Sequence, residues 1–169
     1  ILAFGKDGKV SVASEIASPN LKLTSLYSLK QSAGVVLSFD TYNDIFHAFS
    51  DPSAPLGGSK GYGFEGDYDF LILEATAEKV VLKGKKTGGY AVLTPMQGDW
   101  AEFISSIHES EASMNFPKYE LHIGDMVAGV SIAYRTLTFD FVDAEGNALT
   151  KTASYIITPT GYKFYEPIE

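Results

Sequence analysis

The stretch Tyr68–Pro95, YDFLILEATAEKVVLKGKKTGGYAVLTP, sets the period of two on which the rest of the chain is read. Tyr68–Glu74 is a nearly continuous apolar run of strand length. Lys79–Lys85 carries the core Val80-Val81-Leu82. Tyr90–Thr94 follows Gly88-Gly89 and stops at Pro95, which cannot donate to a ladder. Three consecutive strands joined by two short turns make a β-meander.

The pattern repeats on both sides. Upstream, Ile1–Phe4, Lys6-Asp7-Gly8-Lys9 and Val10–Ala13 read as strand, tight turn, strand, because Asp-Gly accepts the positive φ a hairpin turn demands. Leu21–Lys30 and Val35–Asp40 form a second hairpin about Gln31–Gly34. In its return strand Val35, Leu37 and Phe39 share one face and Val36, Ser38 and Asp40 the other, the period of two of a strand with one buried side. Downstream, Tyr119–Ile123, Val130–Tyr134, Thr136–Val142, Leu149–Thr158 and Tyr162–Tyr165 read as strands, with Asp143–Asn147 as a hairpin turn. Ser25–Tyr42 and Ala153–Pro167 echo one another as strand, glycine turn and aromatic strand; recurrent hairpin geometry is the first reading of so short a match and a duplication the second.

Two helical segments interrupt the strands. Asn43–Phe49 reads as one or two helical turns, with Asn43 or Asp44 as cap. The stronger helix begins at Asp99, a good N-cap with Glu102 placed for a capping box. Trp100, Phe103, Ile104 and Ile107 follow the i, i+3, i+4, i+7 spacing of one buried face, and the helix ends before Asn115 and Pro117. The expectation is an all-β, mainly antiparallel fold of about ten to twelve strands with one packed helix. A barrel-like, lipocalin-like meander is the leading architecture, because closure hides strand edges, and a two-sheet β-sandwich is the alternative. A single domain over residues 1–169 is expected, lacking a segment before Ile1.

Composition narrows the function classes. A net charge of −8 opposes general nucleic-acid binding, which needs a basic face. Without cysteine there is no disulfide framework, thiolate chemistry or Cys-ligated zinc. No apolar run approaches the roughly 20 residues of a membrane helix. No G-x-S-x-G, P-loop or dinucleotide fingerprint stands between a strand and a helix.

Several phrases resemble those of an uncharacterised family of exported lipoproteins from Bacteroidetes, encoded near glycan-uptake systems. They are SLYSLKQSAGVVLSFDTYNDIFHAFSDPS at Ser25–Ser53, GDYDFLILEATAEKVVLKGKKTGG at Gly66–Gly89 and TPTGYKFYEPI at Thr158–Ile168. The resemblance implies a lipid-anchored protein of the periplasm or outer-membrane surface. It carries over no catalytic residues. The departure is the N-terminus, where the lipobox cysteine is absent, as in a chain cut downstream of it.

Candidate chemistry is sparse. His47, His108 and His122 fall in no metal-ligand spacing, and surface or packing roles are the ordinary reading. Glu65, Asp67 and Asp69 cluster in FEGDYD. Such carboxylates serve glycoside hydrolysis or calcium binding, but equally form a solvated strand edge. Lys83, Lys85 and Lys86 make a basic hairpin tip, read first as a solvated turn with edge-protecting lysines and second as an anion or phosphate contact. The most suggestive segment is Asp51–Gly66, about 16 residues with five glycines and two prolines. Tyr42, Phe46 and Phe49 precede it, and Tyr62, Phe64 and Tyr68 close it. Flat rings beside Asp and Gly can stack on sugar faces, or can pin the loop to the core.

The expectation is a non-catalytic binding module for a glycan or other small ligand. Its ligand-binding residues are Tyr42, Phe46, Tyr62, Phe64, Asp67 and Tyr68, with no catalytic residue, metal or cofactor. An accessory protein contacting another envelope protein is the first alternative. A glycoside hydrolase using two of the three clustered acids is the second.

Overall fold

The computed structural model describes residues 1–116, 118–133 and 135–165. Among them are twelve strands and one α-helix, so the all-β antiparallel class with a single helix stands. Pro117, Tyr134 and the end of the Thr158–Ile168 phrase from residue 166 lie outside the described residues. The chain divides into two compact units, Ile1–Glu102 and Phe103–Glu169.

The first unit is a seven-stranded sheet whose strands pair in chain order: β1 (Leu2–Phe4), β2 (Lys9–Val12), β3 (Leu23–Ser32), β4 (Gly34–Phe39), β5 (Asp69–Ala75), β6 (Val80–Gly84) and β7 (Tyr90–Leu93). The predicted meander is β5–β7. The sheet is open, with β1 and β7 as its edges. Asp7-Gly8 closes the first turn, where Gly8 has φ 77° and Gly5 N–H donates to the Lys9 carbonyl at 2.7 Å. Register slips once, in β5. Ile72 faces Leu82 and Glu74 faces Val81, which leaves Leu73 as an extra, unpaired residue.

Leu37 and Phe39 are buried as read, but Val35 on their face is exposed and Val36 and Ser38 on the other face are buried too, so β4 is covered on both sides rather than one. Val10, Val12, Leu37, Phe39, Ile45 and Leu82 form the buried cluster of this unit. Its centre is aromatic. Phe39 stacks on Phe46 with ring centroids 4.1 Å apart, and Phe70 meets Phe39 edge-on at 6.2 Å. Such pairs add about 0.5–1.5 kcal/mol beyond the area they bury. Opposite this face, Ser38 is buried and donates to Asp69, while Lys30 reaches both Ser38 (3.1 Å) and Asp40 (2.6 Å). That lysine holds the Asp40 carboxyl below its ordinary pKa.

The helix α1 spans Trp100–Ser113, as its spacing predicts. Asp99 Oδ1 accepts the N–H groups of Ala101 (2.8 Å) and Glu102 (3.0 Å), satisfying two of the orphan donors of the first turn. Among the described residues the Glu102 side chain does not complete the capping box. Ile104 and Ile107 are buried, but Phe103 is exposed, so the apolar face is narrower than its four-residue pattern suggests. Trp100 is half-buried beneath the Lys22 ammonium, 4.2 Å from the ring centroid.

The second unit is a five-stranded open sheet in the order β12–β11–β10–β9–β8. Its strands are β8 (Tyr119–Ile123), β9 (Met126–Ala133), β10 (Thr136–Val142), β11 (Ala148–Thr158) and β12 (Gly161–Phe164). Strand β9 begins four residues before the expected Val130, because the Gly124-Asp125 region makes a tight hairpin in which Ile123 pairs with Met126. The Asp143–Asn147 turn forms as read, with Asp143 Oδ1 accepting the N–H groups of Glu145 and Asn147. The echoing segments, as far as residue 165, fall on the hairpins β3–β4 and β11–β12, one in each unit.

Candidate functional site

The sequence points to the segment between β4 and β5, and the structure shows how it is built. Asn43 begins it. Its side-chain oxygen accepts the N–H groups of Ile45 and Phe46, both at 3.1 Å, which caps a short helical turn ending in the 3₁₀ segment His47–Phe49. His47 closes the same turn, accepting the Asn43 N–H on Nδ1 at 3.0 Å. Asn43 and His47 are both buried, and burial lowers the His47 pKa below its ordinary value.

The long irregular stretch is folded on itself. The N–H groups of Phe64 and Gly66 both donate to the Phe49 carbonyl at 3.0 Å, and Gly61 N–H donates to the Pro52 carbonyl at 2.8 Å. A Cβ at Gly66 would lie 2.8 Å from Phe49 Cβ and 2.9 Å from the Phe49 carbonyl carbon, so the return path requires glycine. The loop is therefore a compact excursion with joined ends.

The six expected ligand residues separate into two groups. Tyr42, Tyr62, Phe64 and Tyr68 present exposed rings, 57%, 60%, 41% and 46% accessible. The Tyr42 and Tyr68 rings lie near-parallel to the buried His47 ring, at 5.1 and 5.7 Å between centroids. Tyr42 donates its hydroxyl hydrogen to Asp51 at 2.7 Å. Phe46 and Asp67 are committed elsewhere. The Phe46 ring is stacked in the core on Phe39. Asp67 caps the β6–β7 turn, accepting the N–H groups of Lys86 (2.7 Å) and Thr87 and the Thr87 hydroxyl. A side chain at Gly84 would strike that carboxylate.

The acidic cluster is thus divided among separate tasks. Asp67 holds a hairpin turn, Asp69 accepts from Ser38 in the neighbouring strand, and Glu65 is exposed at a positive-φ position of 57°. Among the described residues no three His, Asp or Glu side chains converge to hold a metal ion. The basic tip is also tied down: Lys85 and Lys86 donate backbone N–H groups to Asp69 and Asp67, and the Lys83 ammonium lies 5.5 Å from the Tyr90 ring centroid.

The second unit holds a feature that the sequence reading did not single out. A cavity of about 1140 Å³ opens on the apolar face of its five-stranded sheet. Leu137, Phe139, Tyr155 and Ile157 form its buried floor. Val130, Leu121 and Phe164 extend it, while His108 and Glu111 of α1 and the Lys118–Glu120 ion pair stand at its border. The available signal was alternation: β8 to β12 all turn apolar residues to this one face. That pattern is identical for a packed core and for a lined cavity, so periodicity alone does not distinguish them.

No curated protein and no solved structure matches the chain. Its match is to a family model, and it extends over residues 1–169: the chain belongs to the family described as domain of unknown function (DUF4302).

Proposed function

We propose that this domain is a non-catalytic binding module of an exported, lipid-anchored cell-envelope protein, and that it takes a glycan on the loop end of the first unit. The observation that carries the reading is the set of four exposed rings, Tyr42, Tyr62, Phe64 and Tyr68, gathered on one self-folded loop and its flanks. Exposed aromatic faces can serve as stacking surfaces. Sugar rings offer apolar C–H faces to them and hydroxyls to neighbouring carboxylates such as Asp51. Two of the three clustered acids are engaged in structural hydrogen bonds, which favours binding over hydrolysis. The export and anchoring follow from the resemblance of Ser25–Ser53 and Gly66–Gly89 to the lipoprotein phrases.

The test is a thermal-shift screen against host and plant polysaccharides. A ligand at 100 times its dissociation constant adds about 2.7 kcal/mol, a rise of several degrees. The expected result is a saturable rise that Tyr62→Ala or Phe64→Ala removes. A flat response to every polysaccharide sinks the glycan reading.

A further inference from the structure

The cavity of the second unit lies outside the site just proposed, and its chemistry differs. Its floor is hydrocarbon and aromatic over all five strands. From α1, Ile107 joins the buried cluster of this unit, with Met114 just beyond the helix packed against it, and the rest of the apolar face is left as open volume. At about 1140 Å³ it exceeds the roughly 300–1,000 Å³ of sites for drug-sized ligands. Water in so large an apolar space makes few hydrogen bonds, which favours a hydrocarbon occupant.

One polar group is set into that floor. Tyr155 is 7% exposed and lines the cavity; its hydroxyl has no hydrogen-bond partner among the described residues and retains accessible surface. Its ring is held edge-on by Tyr162 at 5.7 Å between centroids, and its backbone N–H donates to the Arg135 carbonyl at 3.0 Å. The Arg135–Glu111 ion pair, at 3.1 Å, lies close enough to act electrostatically on this hydroxyl. Burial raises the Tyr155 pKa, so the group remains a protonated donor at neutral pH. From the cavity lining it can donate to an acceptor oxygen of an occupant.

We propose that the cavity on the β8–β12 sheet binds a single-chain amphiphile, with its hydrocarbon tail along Leu121, Val130, Leu137, Phe139 and Phe164 and its carboxylate-type head accepting from the Tyr155 hydroxyl beside Arg135. This site is independent of the ring-bearing loop.

Isothermal titration calorimetry of the whole chain with myristate, below its micellar concentration, tests it. Tetradecyltrimethylammonium, with the same tail length and no acceptor, is the control. The expected result is saturable binding of one myristate per chain, at least tenfold tighter than the cation. Tyr155→Phe keeps the ring and removes the donor, and should weaken myristate about tenfold. Val130→Trp fills the cavity and should abolish binding. Tyr62→Ala should leave it unchanged, which separates failure of this site from failure of the glycan reading. Absence of saturable myristate binding overturns the proposal. So does binding of equal strength in Tyr155→Phe, which decides the matter even if Val130→Trp does not fold.

Discussion

The two sheets share one alphabet and use it differently. Both are antiparallel, open, and built from strands that alternate apolar and polar residues. In the seven-stranded sheet the apolar face is filled from within, because the chain between β4 and β5 sends Ile45 and Phe46 back onto Phe39 and Phe70. In the five-stranded sheet the connections are tight hairpins with no spare residues to return, and the face stays partly unfilled. A long connection is thus a source of core material as well as of surface loops. A sheet joined only by short turns must draw its second layer from outside, as Ile107 of α1 supplies in part here, or keep a cavity.

The sharpest way to break this contrast is to delete matched rings. Phe39→Ala empties a tightly packed centre and should cost about 3–5 kcal/mol. Phe139→Ala enlarges a space that already exists, and should cost less, about 2–3 kcal/mol, because fewer contacts are lost per atom removed. Urea unfolding of the two variants checks the difference, and equal costs would mean that the cavity is closed in solution.

Asp67→Ala comes next. It removes the acceptor for two N–H groups and a hydroxyl in the β6–β7 turn, and should cost about 1–2 kcal/mol. Hydrogen exchange at Lys86 and Thr87 should accelerate while β2 and β3 stay protected. Asp99→Ala should cost about 1 kcal/mol through the lost N-cap, read as a small fall in helical signal and melting temperature.

The last effect vanishes at neutral pH. His47 has a lowered pKa in the folded chain, so between that value and about 6.5 the unfolded chain binds the extra proton. Stability is complete above the unfolded value and declines as pH falls below it. Melting temperatures measured from pH 8 to pH 5 should show this decline in the native chain, and a His47→Asn variant should show less of it.

Strand positions were legible because turns announce themselves: Asp7-Gly8, Gly88-Gly89 and Asp143–Asn147 each sit where a hairpin forms. The helix was legible because Asp99 supplies a cap and four apolar residues supply a face. Individual roles within the aromatic cluster were not. Tyr42 and Phe46 stand four residues apart in the same segment, and only packing decides that one ring meets solvent and the other meets Phe39. Asp67 looked like site chemistry because its partners, Lys86 and Thr87, are about twenty residues away in sequence. The cavity stayed hidden because an alternating strand records which way a residue points, not what lies in front of it.

The slip at Leu73 has a consequence for length. Elsewhere in a strand, removing one residue turns every later side chain to the opposite face. In β5 the partners of Ile72 and Glu74 are already consecutive, Leu82 and Val81. Leu73 is therefore a spare letter. A deletion confined to it leaves Phe70 and Ile72 facing inward and Ala75 opposite Val80, so β5 can be shortened by one residue there without being rewritten.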